Sequence, residues 1–228
     1  MSAELTVTLP DPRQKKRYYL QMTPVRRVMT PTLAAVFRLF ATLEASGGEN
    51  LPESGGVILA ANHLTNFDVL PMQFSLARPV FFMGKAELFR NPLIDWLFRQ
   101  LGGFPVYRGE RDAWAVQHAE RVLKSGQVLG IFPEGTRSKG KGLRTGKTGA
   151  AHLALNLGCP IVPMAVDGTQ HIFRPAFRRA KVKITAGEPL FPLADESPIE
   201  LTDRLMFTIA SMLPPAARGV YAYRPEWF

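Results

Sequence analysis

Val57-Ile58-Leu59-Ala60-Ala61-Asn62-His63-Leu64-Thr65-Asn66-Phe67-Asp68 is a short apolar run, entered through Gly55-Gly56, that breaks into a polar loop. A run of that length bounded by glycines reads as a buried strand, and residues 68–77 beyond it suit a helix. The alternation then repeats. Strands are expected over 79–84, 104–107, 128–132 and 161–166, with helices over 91–101, 110–124 and 150–157. Asn91-Pro92 has the cap-plus-proline form of a helix start. Ser197-Pro198-Ile199-Glu200 is a capping box, opening a final helix to about Leu213. Residues 181–185, Lys-Val-Lys-Ile-Thr, alternate charged and apolar side chains, as an edge strand with one wet face does. The pattern predicts a single α/β domain, its central mixed, largely parallel sheet flanked by helices.

Upstream, residues 1–23 read as a basic arm closing on Lys15, Lys16 and Arg17. A helix is expected from Thr30-Pro31, with Leu33, Val36, Phe37, Phe40 and Leu43 on one face. Arg26, Arg27 and Arg38 lie around that stripe, which suits an amphipathic helix seated in a membrane interface. The expected division is residues 1–45 for the arm and this helical segment, and 46–228 for the α/β domain.

Composition bounds the partners. Of 228 residues 46% are hydrophobic and 21% charged, enough to build a core and unlike a disordered chain. One cysteine, Cys159, excludes an intramolecular disulfide framework and fits a reducing compartment. No apolar run reaches the ~18 residues of a membrane span, and the first twenty residues lack a signal-peptide core. The expectation is a peripheral chain on the cytoplasmic face of a membrane, with no transmembrane span. A formal charge of +9 favours polyanions such as anionic lipid headgroups, nucleic acid or phosphorylated substrates. Between Ile131 and Thr185 ten basic residues stand against Glu134 and Asp167.

Two segments can carry chemistry. His63 and Asp68 stand five apart where a strand gives way to a helix. The carboxylate can hold one imidazole nitrogen and leave the other to take a proton. Four histidines make such a pair easy to produce by composition. Phe132-Pro133-Glu134-Gly135-Thr136-Arg137-Ser138 is far more specific. It ends a strand inside the basic stretch, and its arginine fork can meet a phosphate with two parallel hydrogen bonds.

Together the two segments resemble blocks of the glycerolipid acyltransferase superfamily. N-H-L-T-N-F-D is similar to its first block and F-P-E-G-T-R-S to its third. Met83-Gly84-Lys85-Ala86-Glu87-Leu88-Phe89 resembles the second, and Ile161-Val162-Pro163-Met164-Ala165 the fourth, in family order over about residues 57–170. The likeness is strongest to bacterial 1-acylglycerol-3-phosphate acyltransferases. It implies that His63 deprotonates the free hydroxyl of a lysophospholipid acceptor, lysophosphatidate above all, which attacks the thioester of acyl-CoA or acyl-carrier protein. It implies that Asp68 orients His63, that Arg137 and Lys85 hold the acceptor phosphate, and that Gly135 and Thr136 shape that loop. Glu134 would be structural or acceptor-positioning, and Lys147 a further phosphate ligand. No cofactor or metal is implied, since a base and a thioester suffice. One departure is Thr145-Gly146, where family members often carry an aromatic residue before the lysine.

Rival readings fit less well. Gly142-Leu143-Arg144-Thr145-Gly146-Lys147-Thr148 lacks the glycine spacing of a nucleotide-binding loop. No nucleic-acid recognition motif accompanies the basic charge. Acceptors such as a lyso-ornithine lipid or a glycosylated phospholipid remain alternatives within the superfamily. Cys159, His118, His152 and Trp114 read as packing or surface groups. Leu88 to Phe104 suits an acyl tunnel, a membrane contact or plain core. Nothing in the sequence specifies an oligomer.

Overall fold

The computed structural model describes residues 11–108, 112–173 and 179–223. The first ten residues of the basic arm and the helix start expected at Glu110 lie outside these. The strands are β1 (Ala41–Ser46), β2 (Val57–Ala61), β3 (Val80–Lys85), β4 (Gly103–Val106), β5 (Val128–Ile131), β6 (Ile161–Asp167) and β7 (Ala180–Ala186). The helices are α1 (Pro24–Phe40), α2 (Val69–Phe74), α3 (Pro92–Gln100), α4 (Ala113–Lys124), α5 (Gly149–Leu157) and α6 (Pro198–Met212). The strands form one sheet in the order β1-β7-β6-β2-β5-β3-β4.

β2 pairs in parallel with β5 and β6, and β3 in parallel with β5 and β4. Five strands therefore end on the same edge of the sheet. β7 runs antiparallel to β6, and β1 joins β7 in parallel. Ile58 and Ala60 of β2 pack into the core shared with α4, α5 and α6. Val57, Leu59 and Ala61 face the opposite cluster, with Met72 of α2 and Val162 of β6. Burial on both faces is why this strand reads as an unbroken apolar run. The helix starts follow their local signals. Asn91 accepts from Leu93 N and Ile94 N, and both halves of the Ser197–Glu200 capping box are made.

The segment before β2 differs from its expectation. α1 begins at Pro24 behind the cap Thr23, leaving Pro31 inside the helix. Two Thr-Pro pairs compete for the start, and tertiary contacts favour the first. Thr23 Oγ1 donates to Gln100 O at 2.9 Å. The buried Arg26 donates to Gln73 Oε1 and Val80 O, each at 2.6 Å. α1 stops at Phe40, and the expected stripe divides. Phe37 packs on Phe74 with ring centroids 5.7 Å apart, whereas Leu43 lies in β1. Residues 41–46 are thus part of the sheet, and β1 covers β7, which is not an edge although its burial alternates as expected. The basic arm is pinned in places. Arg13 is buried between Asp11 and Asp112, and Lys16 pairs with Asp95 at 2.9 Å.

Candidate active site

β2 delivers the chain into a loop that its neighbours hold on every side. Asn62 Nδ2 donates to Val166 O at 2.8 Å, and Val166 N donates to Asn62 Oδ1 at 2.7 Å, which clamps the turn to β6. His63 follows, buried, with its ring stacked on Phe132 at a centroid distance of 3.9 Å and 14° between planes. Asp68 sits at the cap position of α2 yet caps nothing there. Its carboxylate turns back into the loop instead.

Oδ2 of Asp68 lies 2.7 Å from His63 Nδ1 and accepts from Leu64 N at 2.7 Å and Thr65 N at 2.9 Å. Oδ1 accepts from Thr65 Oγ1 at 3.1 Å and Thr169 Oγ1 at 2.5 Å. An ionised carboxylate can only accept, so in the neutral imidazole Nδ1 carries the proton and Nε2 the lone pair. Nε2 has no hydrogen-bond partner among the described residues. A carboxylate at one edge and an aromatic face beneath leave the imidazole a single orientation, as a general base requires.

The second segment meets the first directly. Ser138 N donates to His63 O at 2.7 Å, so Arg137 is held beside the histidine loop. Glu134 is buried and joins two loops. Its Oε1 accepts from His63 N at 2.8 Å and its Oε2 from Arg144 N at 3.0 Å. Burial pushes this carboxyl above its ordinary pKa, and the two backbone donors oppose the rise. With both oxygens committed to the main chain, Glu134 acts as a tie between loops.

Arg137 is exposed and makes no ion pair among the described residues. Lys85, half-exposed at the end of β3, pairs with Glu87 at 3.0 Å. Because β5 lies between β2 and β3, His63, the 132–138 block and Lys85 stand at the carboxyl ends of three adjacent strands. Open α/β sheets gather their sites there. Gly135 has φ +66°, and a side chain on it would meet the Lys147 side chain at 3.1 Å. Lys147 and Thr136 line a cavity of about 570 Å³ beside this loop. His63, Lys85 and Arg137 do not line it. The expected phosphate ligands therefore fall into two groups.

Phe132, Thr65 and Thr169, which fix the imidazole and its carboxylate, were not among the expected site residues. Phe132 and Thr65 stand inside the quoted blocks, but Thr169 lies 101 residues from Asp68 and has no local signal. Elsewhere, burial pushes the Cys159 thiol up to about 11 and His118 down to about 4. The thiol is thus protonated and His118 neutral, as expected of packing groups. Among the described residues no three of His, Cys, Asp and Glu converge as a metal cage would require.

Residues 42–167 match the acyltransferase family, more than half of the chain, and the chain belongs to that family. It is 32% identical over 160 residues to the 1-acyl-sn-glycerol-3-phosphate acyltransferase of Bacillus subtilis (strain 168), covering 69% of this chain and 78% of that one. The protein of the same name from Borreliella burgdorferi is 34% identical over 130 residues, covering 56% of this chain and 52% of the relative. The chain thus spans about half the length of that relative. The crystal structure of the 1-acyl-sn-glycerophosphate (LPA) acyltransferase PlsC from Thermotoga maritima superposes with a TM-score of 0.68 at 28% identity, covering 81% of this chain and 76% of that one.

Proposed function

We propose that this chain is a 1-acyl-sn-glycerol-3-phosphate acyltransferase, carrying a fatty acyl group from a thioester donor, acyl-CoA or acyl-carrier protein, to the free hydroxyl of lysophosphatidate. The observation that carries the reading is the oriented His63–Asp68 pair bonded, through Ser138 N and His63 O, to the loop that bears the unpaired Arg137. Its steps are those that the family resemblance implies, and the geometry supports them. His63 Nε2 takes the proton of the acceptor hydroxyl as that oxygen attacks the thioester carbonyl. Asp68 stabilises the imidazolium that forms. Collapse of the tetrahedral intermediate forms the ester, breaks the carbon–sulfur bond and returns the proton from His63 to the departing thiolate. Arg137 and Lys85 hold the acceptor phosphate, and Gly135 lets the loop turn beneath it. No acyl-enzyme is needed, so the kinetics are sequential.

The same reading places the chain at an anionic membrane surface, on the cytoplasmic face. No helix of the described residues is long and apolar enough to cross a membrane. Val28, Ala35, Val36 and Leu39 recur at i, i+7, i+8 and i+11 of α1, and all are exposed. Arg27 and Arg38 flank them. Leu93, Ile94 and Trp96 are exposed on α3, which α1 meets at Thr23 and Gln100. Apolar stripes with flanking cations support an interfacial seat.

The test offers purified protein a thioester donor with a panel of lysolipids and follows thiol release and product mass. His63→Ala, shown folded by circular dichroism, is expected to lose about 10³-fold in rate. Retention of most transfer by this variant overturns the mechanism, and a preferred acceptor other than lysophosphatidate overturns the substrate.

A further inference from the structure

The cavity beside the 134–147 loop is lined by residues other than His63, Lys85 and Arg137. Lys141, Arg144 and Lys147 bring three cations to it, and Thr136 and Thr145 two hydroxyls. None of the three cationic side chains has a hydrogen-bond or ion-pair partner among the described residues. The one carboxylate in the lining, Glu134, is spent on His63 N and Arg144 N. Three cations against one carboxylate leave net positive charge facing the space, a field that gathers phosphate. Gly142 and Gly219 also line it. Gly142 and Gly219 lie back to back, and a Cβ on Gly142 would come within 2.8 Å of Gly219 Cα. Leu143 and Val220 stand at the same wall, and Val220 N donates to Leu143 O at 3.1 Å.

Size and position separate this site from the acceptor-phosphate pair. About 570 Å³ exceeds what one phosphate monoester fills and lies in the range of small-molecule and cofactor pockets. Lys85 and Arg137, the acceptor's expected ligands, are outside it. One carboxylate nevertheless joins it to catalysis, since Glu134 holds Arg144 N on one oxygen and His63 N on the other. Three cations spread around a space of this size suit a ligand with several separated phosphates and an arm that reaches the base beyond Glu134.

We infer that this cavity takes the phosphorylated nucleotide end of an acyl-CoA donor, with Lys141, Arg144 and Lys147 on its phosphates. The inference rests on the acyltransferase reading above and selects a nucleotide-bearing thioester over acyl-carrier protein. The thioester arm runs past Glu134 to His63, so donor and acceptor enter on separate sides of one loop.

Two experiments test it. Adenosine 3′,5′-bisphosphate is titrated into the full chain by calorimetry, with no acceptor present. Binding is expected, weakened by raised salt and reduced about tenfold or more in Lys141→Gln/Arg144→Gln. Steady-state assays then compare acyl-CoA with its 3′-dephospho analogue and with acyl-carrier protein. The double variant is expected to raise KM for acyl-CoA roughly tenfold while KM for the lysolipid stays put, and the bisphosphate to compete with acyl-CoA alone. No binding of the bisphosphate, a rise confined to the lysolipid KM, or efficient transfer only from acyl-carrier protein overturns the proposal. Binding of the bisphosphate without transfer to lysophosphatidate sinks the substrate reading and leaves the nucleotide site standing.

Discussion

Five hydrogen-bond donors converge on the buried carboxylate of Asp68, and only His63 Nδ1 belongs to a group with a second, free nitrogen. The other four, two amides and two hydroxyls, replace the water that a buried carboxylate would otherwise lose. They also aim Oδ2 at the imidazole before any substrate arrives. Asp68→Asn puts an NH₂ where an oxygen accepted, so at least one buried donor then faces another donor. Stability is expected to fall by about 1–3 kcal/mol and turnover by about 10³-fold, read by denaturant unfolding and by thiol release. A variant that turns over normally would make Asp68 only a loop fastener.

Among the elements, the short C-terminal segment after α6 decides the shape of the basic loop. Leu143 N donates to Ala217 O at 3.0 Å, and Gly146 N donates to Tyr221 Oη at 3.0 Å, one residue before Lys147. Gly219 adopts φ +53°, and a Cβ there would collide with the Leu143 carbonyl oxygen. Gly219→Ala is therefore expected to detach this segment, costing roughly 2 kcal/mol and raising the donor KM more than the acceptor KM. Thermal unfolding and initial rates measure the two effects. The loop needs this brace because its own residues, rich in glycine and cations, have little apolar surface to bury.

For the whole molecule, the exposed apolar groups of α1 bear on the proposed membrane seat. Val36 and Leu39 are exposed on α1, so their replacement leaves the core untouched and changes stability by no more than about 0.5 kcal/mol. Val36→Glu/Leu39→Glu is expected to cut flotation with anionic vesicles severalfold, since each glutamate opposes both the apolar contact and the negative surface. Equal flotation of variant and parent would remove α1 from the membrane contact. The parent's binding should also weaken as salt rises.

The strands around β2, the helix starts at Asn91 and Ser197, and the His63–Asp68 and 132–138 segments were all legible in the linear chain. Each rests on neighbours a few residues apart: a two-face apolar run, a cap with its proline, a histidine with its carboxylate. Legibility failed where distant contacts ruled. Thr23-Pro24 and Thr30-Pro31 are alike as helix starts, and the hydrogen bond to Gln100 separates them. Ala41–Ser46 has no strong strand pattern and becomes one because β7 offers a free edge. The ten basic residues of the 131–185 stretch look uniform along the chain, yet folding sets Arg137 beside His63 and Lys141, Arg144 and Lys147 around a separate cavity. Local chemistry writes elements and motifs into a sequence. Which cations share a ligand depends on backbone ties such as Glu134's, whose partners lie 71 and 10 residues away and leave no periodic trace.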